Sequence, residues 1–126
     1  MKKIDILVEK TNSGYSAYTE NYPVYTAGNN LDELKKNIIE ALNLYFEETK
    51  LVITEDDLKI KLDLPQFFDF YKVINAKALS VRIGMNQSLL AQYISGNKKP
   101  SNAQTQRILK GVQQIGRELS EIRFLL

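Results

Sequence analysis

The sequence predicts an α+β chain in which a small βββαβ unit is followed by an all-helical unit, and three patterns carry that reading. Apolar and polar residues alternate over residues 4–9 and again over 58–64, the period-two signature of strands. Between them Leu34, Ile38, Ala41, Leu42 and Tyr45 recur every three or four residues, the spacing of one helix face. Beyond Pro65 the apolar spacing is helical throughout, broken only by turn residues such as Gly84, Gly96 and Pro100. The expected units are residues 1–64 and 65–126.

In the first unit, Ile4, Ile6 and Val8 give one strand an apolar face. Asn12-Ser13-Gly14 is a turn signal, and the run Tyr15 to Thr19 answers as the second arm of a hairpin. Pro23 opens a short third strand, expected over Val24 to Thr26 and ended by Ala27-Gly28-Asn29. Asn30 then caps a helix, with Glu33 at capping-box spacing and Asp32 in the first turn, where negative charge suits the helix dipole. A polar connector over Thr49 to Asp57 leads to a fourth strand in which Leu58, Ile60, Leu62 and Leu64 alternate with Lys59, Lys61 and Asp63.

In the second unit, Pro65 is expected at the first position of a helix, where its missing N–H costs nothing. Phe67, Phe68, Tyr71 and Ile74 form its packing stripe. Two short helices follow around Gly84: Leu79 and Ile83 pair on the first, Met85 plugs the gap, and Asn86 caps the second. Leu89, Leu90 and Ile94 are expected to face inward, leaving Gln87, Ser88, Gln92 and Tyr93 outward with groups that match base edges and phosphates. Gly96 closes this helix, and Lys98, Lys99 and Pro100 make a stiff cationic loop suited to a phosphate backbone. Ser101 caps a long last helix whose Ile108, Val112, Ile115, Leu119 and Ile122 are spaced four and three residues apart, a heptad seam. Ile108 and Val112 are expected inward, with Ile115, Leu119 and Ile122 reaching a dimer contact.

Composition narrows the chemistry. The 126 residues hold no Cys and no His, which removes disulfides, thiolate nucleophiles, Cys-based zinc sites and the commonest general base. No catalytic residue, metal ligand or cofactor site is expected. No apolar run approaches the ~20 residues of a membrane helix, and Met1-Lys2-Lys3 leads directly into a strand pattern rather than an apolar leader. Cytoplasmic residence, without a membrane partner, is the expectation. The net charge of +2 conceals an asymmetry, because residues 1–64 carry eight basic and twelve acidic side chains and residues 65–126 carry nine and three. The halves suit partners of opposite charge.

Two segments resemble known families. ALSVRIGMNQSLLAQYISGNKKPS, residues 78–101, closely resembles the Xre/Cro-type helix-turn-helix, including its terminal G-x-K-K-P-S, although Ser80 stands where that family usually has Ala. GYSAYTENYPVYTAGNNLDELKKNIIEALNLYFEE, residues 14–48, resembles the HicB antitoxin family. The Glu20-Asn21-Tyr22-Pro23 loop departs from the doubled proline common there. The resemblances imply a truncated RNase H-like βββαβ unit joined to a DNA-binding unit, in an antitoxin of a type II toxin-antitoxin system. Its partners would be a HicA-type toxin, a small basic mRNA-cleaving ribonuclease, and the double-stranded operator DNA of its own operon, bound as a homodimer or higher oligomer. Asn86, Gln87, Ser88, Gln92, Tyr93, Lys98 and Lys99 would then contact DNA. Tyr15, Tyr18, Tyr22 and Tyr25 are candidates for the toxin contact, since Tyr buries a large area at little entropic cost and keeps a polar tip.

Two alternatives belong to other classes. The first unit could sense a small molecule in a simple repressor. It could instead be an RNase H-like nuclease, which needs carboxylates converging on metal ions. Asp5, Glu33 and Glu40 are the available acids, but they are scattered along the pattern.

Overall fold

The computed structural model describes residues 3–126; Met1 and Lys2, on which the expectation of no apolar leader partly falls, lie outside the described residues. The chain is a mixed α+β protein of two compact units, Met1–Phe70 and Tyr71–Leu126.

The first unit is built on strands β1 (Ile4–Lys10), β2 (Tyr15–Tyr18), β3 (Tyr25–Gly28) and β4 (Leu58–Leu62), with helix α1 (Leu31–Tyr45) between β3 and β4 and helix α2 (Leu64–Phe70) after β4. The sheet order is β3-β2-β1-β4. β1, β2 and β3 form an antiparallel meander, whereas β4 lies parallel to β1 with Ile4 opposite Leu58 and Val8 opposite Leu62. A parallel partner requires a crossover, and α1 supplies it. Ile4, Ile6 and Val8 are buried with Ala17 of β2 and with Leu34, Ile38 and Leu42 of α1, so the two periodicities meet in one core. Each fully buried side chain of this size contributes roughly 1.5–3 kcal/mol. The Asn30 cap is present, its Oδ1 accepting from the Glu33 N–H at 2.8 Å. Gly28 is obligatory, because a Cβ there would lie 2.6 Å from the Leu34 backbone nitrogen.

Several expectations shift here, among them the fourth strand, which ends at Leu62 and leaves Leu64 to begin α2. The third strand begins at Tyr25 rather than Val24 and runs to Gly28, since pairing with β2 sets its limits. The polar connector is ordered around buried Ile53 and contains two 3-10 turns, Glu47–Thr49 and Glu55–Asp57. Its Thr54 and Asp57 form a capping box. The expected boundary at residue 64 moves to Phe70, because α2 belongs to the first unit. Asp63 caps α2 by accepting from the Gln66 N–H at 3.1 Å. Gln66 in turn accepts from the Lys10 N–H at 2.8 Å and donates to the Lys10 carbonyl at 2.7 Å, pairing α2 with the end of β1. Pro65 is therefore the second residue of its helix, still among the N–H positions a helix leaves unbonded.

The second unit contains α3 (Ala76–Ile83), α4 (Gln87–Ser95) and α5 (Asn102–Ser120), the last running into a 3-10 turn at Glu121–Leu125. Asn75, Asn86 and Ser101 cap the three helices through their side-chain oxygens. Gly84 and Gly96 terminate α3 and α4 at φ 66° and 83°, left-handed values that a residue with a Cβ adopts only under strain. Leu79, Met85, Leu90, Tyr93 and Ile108 are buried and make the core. Among the described residues no helix is long and apolar enough to cross a membrane.

Candidate functional site

The turn between α3 and α4 is fixed from several directions. Asn86 Oδ1 accepts from the Ser88 and Leu89 N–H groups at 2.9 and 3.2 Å, which starts α4 directly after the turn. Arg107 of α5 donates from Nε to the Ile83 carbonyl at 3.0 Å and from Nη2 to the Gly84 carbonyl at 2.6 Å. These carbonyls end α3, where a cation is favoured by the helix dipole. Ser80 is buried and spends its hydroxyl on the Lys77 carbonyl at 2.6 Å. Arg107 lies 23 residues from the turn it braces, and no local spacing in the sequence could reveal the contact.

On this frame Asn86, Gln87, Ser88 and Gln92 are exposed along α4, and Lys98 and Lys99 are exposed in the loop after it. One α-turn separates Ser88 from Gln92, so the polar groups form a single surface. Tyr93 corrects the sequence reading. It is 6% exposed, not outward, because it follows Leu90 by three residues and falls on the same buried face. Leu89 and Ile94 flank that face half-buried.

The four tyrosines of the first unit do not form one surface. Tyr15 lies half-buried at the edge of the α1-side core with the Lys10 ammonium 5.0 Å from its ring centre. Tyr22 packs edge-on to Phe46 at 4.9 Å and beside Tyr45 at 5.6 Å. Tyr18 and Tyr25 pair across β2 and β3, and Leu7 of β1 follows in the same row. Tyr25 is 70% exposed and Tyr18 is half-buried. Burial pushes the Tyr18 hydroxyl above its ordinary pKa, and the carboxylates of Glu9, Asp63 and Glu20 add to the effect. A feature the sequence reading passed over lies between residues 44 and 52, where exposed Leu44, Tyr45, Leu51 and Val52 alternate with exposed Glu47 and Glu48.

Charge follows the two units more sharply than the expected boundary suggested. Residues 1–70 carry eight basic and thirteen acidic side chains, and residues 71–126 carry nine and two. Of the seam residues, Ile108 is buried and Val112 and Ile115 are half-buried, while Leu119 and Ile122 are exposed. A hollow of about 250 Å³ lies between β3 and α1, lined by Thr26, Asn37, Glu40, Ala41 and Leu44. It is smaller than the roughly 300–1,000 Å³ of ordinary ligand pockets, so it lends little to a small-molecule sensor. Among the described residues no group of three or more Asp or Glu side chains is placed to hold a metal ion.

No protein-family model matches the chain. The chain is similar to a UPF0150 protein of Archaeoglobus fulgidus, with 38% identity over 50 residues that cover 37% of this chain and 76% of the relative.

Proposed function

The chain belongs to the UPF0150 family, and from that premise we propose that it is a two-part antitoxin. Its acidic first unit sequesters a small basic toxin of the HicA type, and its basic second unit binds the operator DNA of its own operon. The reading makes the protein a binding and regulatory molecule rather than an enzyme.

The observation that carries it is the surface of α4. A capped helix directly after a left-handed glycine turn presents Gln87, Ser88 and Gln92 together, beside Lys98 and Lys99. Amide side chains can bond adenine in a bidentate manner in the major groove, and the lysines supply sequence-independent attraction to phosphates. This is the division of labour of a helix-turn-helix, with α4 as the recognition helix. For the first unit, support comes from its meander, crossover helix and parallel fourth strand, the βββαβ order of a truncated RNase H-like fold. Its surplus of carboxylates adds to this, since an RNA-binding toxin must expose cations and an anionic partner can steer to them and cover them. Tyr18, Tyr25 and the apolar residues between 44 and 52 are the contact candidates on that unit.

The test is co-expression with a small basic ribonuclease of the HicA type. Neutralisation of its toxicity by the full chain, together with a shifted band for DNA from the operon's own promoter, is the expected result. Full toxicity in the presence of folded, abundant chain would overturn the antitoxin reading. Equal affinity for promoter and random DNA would overturn the repressor reading.

A further inference from the structure

One edge of the sheet is only partly closed. β3 is an edge strand, and the direction of its backbone groups follows from the bond that the Thr19 N–H donates to the Val24 carbonyl at 3.2 Å. Thr19 stands opposite Val24 when the register of Tyr18 with Tyr25 is extended by one residue, and hydrogen-bonded pairs alternate along an antiparallel ladder. Thr26 and Gly28 therefore turn their backbone groups to β2, whereas Tyr25 and Ala27 turn theirs outward. The Ala27 carbonyl agrees, since it accepts from Asn37 Nδ2 of α1 at 2.8 Å. Among the described residues the N–H and carbonyl of Tyr25 and the N–H of Ala27 have no partner. A strand edge in that state is a template for an extended segment.

Beside that edge lies the hollow of about 250 Å³ between β3 and α1, a size that suits one side chain of a partner better than a ligand. Ala41 and Leu44 give it an apolar wall, and Thr26, Asn37 and Glu40 bring oxygen atoms. Leu44 is 71% exposed and Tyr25, on the neighbouring strand, 70%. Glu33, Asn37, Glu40 and Leu44 follow one another at three- and four-residue steps, and the bond from Asn37 to Ala27 puts that line on the β3 flank of α1. The lysines of the helix leave its charge uncovered. Lys35 is on the other flank, bonded to Glu55 at 2.7 Å. Lys36, one turn from both Glu33 and Glu40, forms an ion pair with neither.

We propose that this groove takes an extended segment of a basic protein partner, with one lysine or arginine side chain entering the hollow. The cationic head meets the Glu40 carboxylate, the aliphatic stem lies on Ala41 and Leu44, and the backbone of the segment pairs with the N–H and carbonyl of Tyr25. An acidic side chain would meet Glu33 and Glu40 with like charge. An apolar one would take water from Glu40 and return no partner, which is costly for a carboxylate. The inference rests on the reading of the first unit as one that sequesters a small basic toxin, and it names the edge on which that contact is made.

The probe is a catalytically inactive small basic ribonuclease of the HicA type, titrated into the full chain by calorimetry, with circular dichroism to follow folding. Glu40→Lys, at an exposed position, weakens binding by about tenfold or more and leaves the melting curve in place. Ala41→Leu fills the hollow and weakens binding as well. Val52→Asp, on the other flank of α1, leaves the affinity within about twofold. Amide exchange followed by nuclear magnetic resonance gives an independent readout: the Tyr25 amide exchanges rapidly in the free chain and slowly in the complex. A folded wild type that does not bind the ribonuclease would overturn the antitoxin reading and this inference with it. Binding indifferent to Glu40→Lys and Ala41→Leu, or a Tyr25 amide that exchanges as fast in the complex as before, would overturn the groove and leave the antitoxin reading standing. Protection of Tyr25 that rises with the concentration of the chain alone would give the groove to a second copy and overturn the basic partner.

Discussion

Asn43 holds Ile53 by both ends of its amide: Oδ1 accepts from the Ile53 N–H at 2.7 Å and Nδ2 donates to the Ile53 carbonyl at 3.0 Å. The pair acts as one rung of a strand ladder, made by a side chain. It fixes the connector to α1 and buries the Ile53 side chain to 2% exposure. Asn43→Ala leaves two partly buried backbone groups without their partner, which costs about 1–3 kcal/mol. Urea unfolding followed by tyrosine fluorescence is expected to show a lower midpoint for the first unit; an unchanged midpoint would show the connector to be independently stable.

The later unit boundary predicts how fragments behave. Residues 1–70 retain the Gln66 bonds to Lys10 and buried Phe68, whereas residues 1–64 lose both. The longer fragment is expected to show dispersed amide resonances and cooperative melting, and the shorter one a lower melting temperature by several degrees, about what 1–2 kcal/mol produces in so small a domain.

Substitutions on α4 separate reading from folding. Gln87→Ala or Gln92→Ala is expected to weaken operator binding by about 1–3 kcal/mol while barely changing affinity for random DNA. Tyr93→Ala instead empties a core position and costs about 3 kcal/mol or more of stability. Tyr93→Phe, which keeps the ring, is expected to bind the operator as the wild type does. Fluorescence anisotropy on both DNAs, with melting curves alongside, distinguishes these outcomes.

On the proposed reading the lysines of the loop are expected to contribute to all DNA alike. Lys98→Ala or Lys99→Ala is expected to lower operator and random-DNA affinity together and to reduce the slope of log affinity against log salt by about one. A salt titration that leaves the slope unchanged in both variants would remove this loop from the DNA contact.

One ion pair makes a pH prediction. Arg82 bonds Glu118, with a 3.2 Å contact from Nη1, and Gln114 adds a bond at 3.3 Å. The hydrogen bond from Arg82 is the main cause holding the Glu118 carboxyl below its ordinary pKa, followed by that from Gln114. A carboxyl whose pKa is lower in the folded state stabilises above its unfolded pKa, and that contribution disappears as pH falls through the lowered value. Because the pair is exposed, the effect on stability is small and weakens with salt. The Glu118 carboxyl resonance is expected to titrate below those of unpaired glutamates in the wild type and to rejoin them in Arg82→Ala.

Local rules in the sequence determined the strand alternation of Ile4, Ile6 and Val8, the α1 face of Leu34, Ile38 and Leu42, and the caps at Asn30, Asn86 and Ser101. They also located the turns at Gly84 and Gly96 and the opposite charges of the two halves. Each of these depends on spacing or backbone geometry over a few residues, which a single sequence exhibits directly. What the tertiary structure decided depends on partners far along the chain. Gln66 reaches back 56 residues to Lys10 and so assigns α2 to the first unit. Arg107 reaches 24 residues to Ile83 and braces the turn before α4. Tyr93 goes inward because helical rotation puts it on the Leu90 face, and a tyrosine's polar tip gives the sequence no means of choosing between core and surface. Gly111 and Gly116 are the same residue in the same helix; α3 packs against the one and leaves the other bare, a distinction fixed only when the helices come together.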